Sequence, residues 1–294
     1  MEIDRIEPPC PYFGKCGGCQ WQHISYETQL EWKQKTLEET LWRTAKIENP
    51  HVLPTIPSPK TFGWRSRVTL HGDQKGNIGF FAPNTHKVVD IERCLIVEDS
   101  VNEQLAQLRQ NKNYLKKDYE VRSTNEKGFT QVNPLQNENL KGLLKEWALK
   151  LPHDTIVELF CGSGNFTEVL IPMAKKIVAI DCDRESIEQA QKSFPAVEFI
   201  CTDGVRYFAK FKPEEPLDLL VLDPPRDGAG GVVEGVIKTK PKNILYISCN
   251  PDTLARDLKY LKDFAGYTLV QTQPIDMFPM SHHIESLSLV SGDK

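Results

Sequence analysis

Apolar and polar positions alternate with a different period in the two halves of the chain. Ile244–Ile247 is an unbroken apolar run, the pattern of a strand covered on both faces, and Asn250-Pro251 stops it. Thr155–Phe160, Ile177–Ile180, Val197–Cys201 and Leu217–Leu222 repeat that pattern. Helix-period stretches separate them: one through Ala174, then Glu185–Ser193 and Leu254–Phe264. Strands that alternate with helices predict a parallel doubly wound α/β sheet. Tyr267–Gln271 and Ile284–Val290 are joined by a loop too short for a crossover helix, which predicts one antiparallel closing strand. The N-terminal part reads differently. Trp21–Trp42 has a helical apolar stripe, 49–61 is a proline-rich connector, and Phe62–His71, Ile78–Ala82 and Lys87–Ile91 alternate as short strands. Val101–Arg109 and Leu135–Leu151 add helices. These patterns predict a small N-terminal β unit over 1–120 and a larger α/β domain over 121–294.

Composition narrows the class. The 294 residues carry 36 Lys+Arg against 40 Asp+Glu, a net charge of -4, which argues against a generally basic nucleic-acid coat. A local basic face remains open. Between Lys60 and Arg93 six Lys/Arg oppose three Asp/Glu, and Arg65, Arg67 and Lys87 interleave with Trp64, Phe80 and Phe81. Such a surface can hold a phosphate backbone and stack bases, or simply be a solvated sheet face. No apolar run is long enough to span a bilayer and the N-terminus lacks an apolar signal core, so a cytoplasmic protein is expected. In that setting the eight cysteines are expected to bind metal or do chemistry. Cys10, Cys16 and Cys19 crowd together, and Cys94 is the plausible fourth ligand. Three clustered thiolates plus a remote one suit an iron–sulfur cube, with zinc the alternative.

The chemistry-bearing motifs fall at the predicted strand ends, where open α/β sheets place their ligands. Gly162 and Gly164 make a sharp turn after the first strand of the larger domain, and Asp181 ends the second, where a carboxylate accepts ribose hydroxyls. A third fingerprint glycine is absent, so the pattern fits S-adenosylmethionine better than a dinucleotide. Asp223-Pro-Pro-Arg226 is a stiff loop that fits either nitrogen or carbon methylation. Cys249 distinguishes the two. Methylating carbon 5 of a pyrimidine requires a thiolate on carbon 6 to make carbon 5 nucleophilic, and a base to remove the carbon-5 proton afterwards. Glu285 and His283 lie on one face of the last strand and are candidates for that base.

Ser248-Cys-Asn-Pro-Asp-Thr-Leu-Ala-Arg-Asp257, Leu222-Asp-Pro-Pro-Arg-Asp-Gly228, Glu158-Leu-Phe-Cys-Gly-Ser-Gly-Asn-Phe166 and His283-Ile-Glu285 together resemble the S-adenosylmethionine-dependent RNA uracil-5-methyltransferases. The resemblance implies a Rossmann-like class I methyltransferase domain with a mostly parallel sheet, plus a smaller N-terminal iron–sulfur/β domain. It implies Cys249 as nucleophile and Glu285 as base. It implies Gln131, Phe160, Gly162, Asn165, Asp181, Asp203 and Asp223 around the cofactor and base, and Cys10, Cys16, Cys19 and Cys94 as ligands of a [4Fe-4S] cluster of the ribosomal-RNA branch. The expected partner is RNA, with 23S ribosomal RNA ahead of transfer RNA, acted on by a monomer. Two departures are expected to reduce RNA-contacting surface. There is no room for an N-terminal OB-like module before Cys10, and the stretch between Cys94 and Gln131 is short. A degenerate, non-catalytic RNA-binding protein is the alternative.

Overall fold

A computed structural model describes residues 4–111, 117–123, 131–210 and 217–292. Ser25 caps the first helix, α1 (Tyr26–Arg43), by accepting the Thr28 N–H. The helix therefore starts later than the apolar stripe at Trp21 predicts, because a serine oxygen that satisfies a free N–H fixes the boundary. Strands β1 (Arg67–Gly72), β2 (Ile78–Phe81) and β3 (Val88–Asp90) form an antiparallel meander, and helix α2 (Asp99–Asn111) follows. A strand absent from the sequence reading, β4 (Asp118–Arg122), straddles residue 120 and pairs with β1 from Arg67↔Arg122 to His71↔Asp118. The sheet order is β3-β2-β1-β4, over a core that includes Trp64, Val68, Leu70, Ile78 and Val121. Trp64 is only 3% exposed, so it belongs to this core and is not a free stacking platform.

Helix α3 (Pro134–Ala148) leads into the larger layer. There β5 (Thr155–Leu159), α4 (Thr167–Leu170), β6 (Lys176–Asp181), α5 (Arg184–Ser193), β7 (Glu198–Cys201), α6 (Gly204–Lys210) and β8 (Leu219–Leu222) alternate. Helix α7 (Gly230–Thr239), β9 (Asn243–Ser248), α8 (Pro251–Ala265), β10 (Tyr267–Ile275) and β11 (Glu285–Gly292) complete it. The strand order is β10-β11-β9-β8-β5-β6-β7; β5 to β9 pair in parallel, and β11 is antiparallel to both of its neighbours. Every residue of β8 and β9 is buried, as the continuous apolar runs require. Helix α4 stops short of Ala174 because Pro172 cannot continue a helix. Helix α7 escaped the sequence reading because it contains three glycines, poor helix formers. Gly235 has a packing reason: a Cβ there would stand 2.5 Å from the Phe208 Cβ of α6.

The N-terminal segment is woven into the larger layer. Leu37 and Leu41 of α1 share a core with Leu254, Leu258 and Leu261 of α8, so α1 is a wall of the larger sheet. The proline-rich connector runs along β10, with bridges Val52↔Thr272 and Ile56↔Ile275 that cover an otherwise open sheet edge. Among the described residues no helix is long and apolar enough to cross a membrane.

Candidate active site

The site lies at the carboxyl edge of the parallel strands. Beyond β5 the chain turns sharply, with Phe160, Gly162 and Gly164 all in left-handed conformations (φ 64°, 53° and 94°). A Cβ at Gly162 would meet open space, whereas one at Gly164 would strike the Phe194 ring at 2.8 Å. One glycine thus leaves room for a ligand and the other lets α5 approach. Asp181 fixes the turn by accepting the Gly162 N–H at 2.9 Å through one oxygen and the Asp183 N–H at 2.8 Å through the other. Asn165 and Asn137 exchange two amide hydrogen bonds, of 2.9 and 3.1 Å, which tie the turn to α3. Asp203 accepts the Arg206 N–H and pairs with its guanidinium at 3.2 Å. Gln131 is half-buried, and Phe129 and Thr130 beside it lie outside the described residues.

Four carboxyl groups and a thiol share this edge. Register brings two of them together: Ser286 of β11 pairs with Ser248 of β9, so one step further Glu285 stands opposite Cys249. Burial pushes the Cys249 thiol up to about 11; the charges of Glu285 and Asp223 add to this and Arg226 opposes it. Glu285 is fully buried and held well above the usual carboxylate range, first by burial and then by Asp223. Asp223 is pushed up to about 7 by burial and by the charge of Asp181. Glu158 is pushed up to about 8 by burial against a hydrogen bond from Thr167, with Asp223 and Asp181 adding. Thr167 donates to one Glu158 oxygen at 2.5 Å, and the other oxygen has no hydrogen-bond partner among the described residues. A cluster of largely buried acids, two of them acting on the thiol, suits a ligand that brings positive charge.

The motif after Cys249 works as a clamp. Asn250 caps α8 and also donates its amide to the Arg226 carbonyl at 3.0 Å; Thr253 donates to the same oxygen at 3.1 Å. Buried Asp257 accepts from the Ala229 N–H and the Tyr246 hydroxyl, each at 2.7 Å. Helix α8 therefore holds the Asp223–Gly228 loop against the thiol. Arg226 in turn contacts His283 Nδ1 at 3.2 Å. Burial, His282 and Arg226 push that imidazole down to about 4, so it is neutral and accepts from the guanidinium. The sequence reading did not foresee the Arg226–His283 pair, whose members lie in different motifs.

Cys10, Cys16, Cys19 and Cys94 line one cavity of about 190 Å³ in the N-terminal unit. All four are free thiols. Asn102 fixes the Cys94 backbone by two hydrogen bonds, of 2.9 and 3.0 Å, and Gln22 accepts the Cys10 N–H at 3.2 Å. Burial pushes Cys19 up to about 12 and Cys94 to about 11, with the neighbouring cysteines adding. Among the described residues no three His, Cys, Asp or Glu side chains converge on a single-ion site.

An uncharacterized RNA methyltransferase of Bdellovibrio bacteriovorus is 33% identical over 98% of this chain and 80% of its own length. One of Halalkalibacterium halodurans is 26% identical over 98% of this chain and 84% of its own. The crystal structure of a Pyrococcus abyssi tRNA (uracil-54, C5)-methyltransferase with S-adenosyl-L-homocysteine superposes with a TM-score of 0.71, at 22% identity, over 99% of this chain and 92% of that one. That likeness shows the class I methyltransferase fold, Rossmann-like with a mostly parallel sheet. The chain is an enzyme, an S-adenosylmethionine-dependent RNA methyltransferase. The sequence profile of the tRNA (uracil-5-)-methyltransferases matches residues 93–292, and the chain belongs to that family.

Proposed function

We propose that the protein methylates carbon 5 of a uridine in ribosomal RNA through a covalent bond between Cys249 and the base. The register that sets Glu285 opposite Cys249 carries this reading. Cys249 loses its thiol proton to solvent and its sulfur adds to carbon 6, and the electron pair moves onto the carbonyl oxygen at carbon 4. Carbon 5 then takes the methyl group as the sulfonium carbon–sulfur bond breaks, leaving S-adenosylhomocysteine. Glu285 removes the carbon-5 proton; that electron pair restores the ring double bond and expels the Cys249 sulfur. Asp223, fixed by the proline loop, grips the base. Phe160, Gly162, Asn165, Asp181 and Asp203 would hold the nucleoside end of the methyl donor, and Gln131 would serve the cofactor and base.

The cysteine cavity fits an iron–sulfur cluster, since four unpaired thiols line one space. Cys10, Cys16, Cys19 and Cys94 would hold it. When bound, the cluster would supply the positive charge that favours the thiolate form of its cysteine ligands. These four cysteines also support ribosomal RNA as the target, through their resemblance to that branch; transfer RNA is the second reading. Incubation with methyl-labelled S-adenosylmethionine and unmodified 23S ribosomal or transfer RNA tests both. The expected result is 5-methyluridine in ribosomal RNA, absent with Cys249→Ala and arrested as a protein–RNA adduct with Glu285→Gln. Label in transfer RNA alone would select the second reading, and no 5-methyluridine in either RNA would reject both.

A further inference from the structure

Helix α1 turns a polar stripe, Tyr26, Gln29 and Lys33, toward the loop 276–284 that joins β10 to β11. Lys33 is fully buried; its ammonium donates to Asp276 at 2.5 Å and to the Phe278 carbonyl at 3.0 Å. The second Asp276 oxygen accepts the Tyr26 hydroxyl at 2.7 Å. Gln29 accepts the Met280 N–H at 3.0 Å. The Met280 carbonyl accepts the N–H groups of Gln20 and Trp21, at 3.0 and 3.1 Å, from the segment just past Cys19. Met280 itself sits at φ 67°, a conformation that a non-glycine residue keeps only when its surroundings fix it.

A buried ion pair is a poor way to gain stability, since apolar residues of similar shape generally pack as well or better. Its value lies in fixing one arrangement. Here the fixed arrangement ends at the base: Ile275 pairs with Glu285, and Asp276 is the next residue. We propose that Lys33, with Asp276 and Gln29, is a positioning brace for Glu285 in proton removal, and that the segment after Cys19 completes the brace. The inference rests on Glu285 being the base in the reaction given above. The loop beside Cys249 is clamped by Asn250 and Thr253 of the α8 segment, and the glycine turn is tied to α3, by contacts that the brace does not share. Loosening the brace therefore leaves thiol addition and methyl transfer in place. It slows only the step in which Glu285 takes the proton, the double bond re-forms and the carbon–sulfur bond breaks.

Rapid-quench single turnovers with labelled S-adenosylmethionine, resolved on denaturing gels, separate methylated RNA bound to protein from methylated RNA set free. Lys33→Met and Gln29→Met are near-isosteric variants. In each, release from the adduct is expected to slow about tenfold, because rate falls steeply when a catalytic group is misplaced. The methyl-transfer burst is expected to stay within about twofold of the unmodified protein, because an interaction used in one step leaves the others intact. Release at the unmodified rate, or equal loss of burst and release, would overturn the brace. Circular dichroism reports folding. If Lys33→Met fails to fold, the uncharged Gln29→Met decides; failure of both would make the stripe a stability element and also overturn the proposal. In the same assay, a Glu285→Gln protein that builds up no adduct would locate the failure in the underlying reaction and not in the brace.

Discussion

Glu158, Asp223 and Glu285 stand at one edge of the larger sheet with Cys249 among them, and Arg226 is the cation that eases the thiol. Each carboxyl is raised by burial and by its acidic neighbours, Asp223 to about 7 and Glu158 to about 8. A ligand that carries a sulfonium and an ammonium supplies the charge these acids lack, and binding it draws protons off them. S-adenosylmethionine is therefore expected to bind more tightly as pH rises through 7 to 8, with proton release. Calorimetry in two buffers of different ionisation enthalpy measures both, and a pH-independent affinity without proton release would contradict the charge argument. The same groups act on folding with the opposite sign. Their pKa values are higher folded than unfolded, so their contribution is complete below the ordinary value of 4.5 or 3.8 and is lost as pH rises through about 8 or 7. Ligand-free protein should thus lose thermal stability from pH 5 toward 8, and Glu158→Gln should flatten that decline while keeping the Thr167 hydrogen bond.

At the scale of elements, the legible features were those with local causes. The wholly buried β8 and β9 declare themselves as apolar runs with the Asp223 loop and Cys249 at their ends, and the glycine turn follows β5. Glycine-rich α7 and the polar strand β4 carry no such signal, because packing against α6 and pairing with β1 create them. The brace was illegible for a similar reason: Lys33 and Asp276 are 243 positions apart, and a lysine on a helix reads as solvated until its partner is known. The turn offers a test of its two glycines. Gly164→Ala meets both a φ of 94° and the Phe194 ring at 2.8 Å, and should cost about 1–3 kcal/mol in denaturant unfolding. Gly162→Ala meets no neighbour and should cost only about 1 kcal/mol, yet its methyl group intrudes on the ligand space and should weaken cofactor binding more. Equal effects of the two changes on affinity would remove the division of labour between the glycines.

At the scale of the molecule, the two sheets are tied by the chain path. The N-terminal segment passes the cysteine cavity, becomes α1 in the core of the larger sheet, and runs along β10 through Val52 and Ile56 before it enters β1. The loop 276–284 returns the tie, since Met280 belongs to the core of the small sheet. A unit cut at residue 120 would strip Leu37 and Leu41 from one core and Met280 from the other, so neither sheet closes its own interior. Denaturant should therefore unfold both sheets in one transition. Trp64, in the small-sheet core, and Trp147, on α3 against the larger sheet, are 3% and 5% exposed and report on the two regions separately. In a background with Trp21, Trp32 and Trp42 changed to Phe, Trp147→Phe leaves Trp64 and Trp64→Phe leaves Trp147 as the single tryptophan, and each signal should follow the far-ultraviolet circular dichroism of its own protein. A Trp64 transition that precedes loss of the parallel sheet would show two independent units, and a brace that reaches from the cysteine loop to Glu285 would then have nothing rigid to stand on.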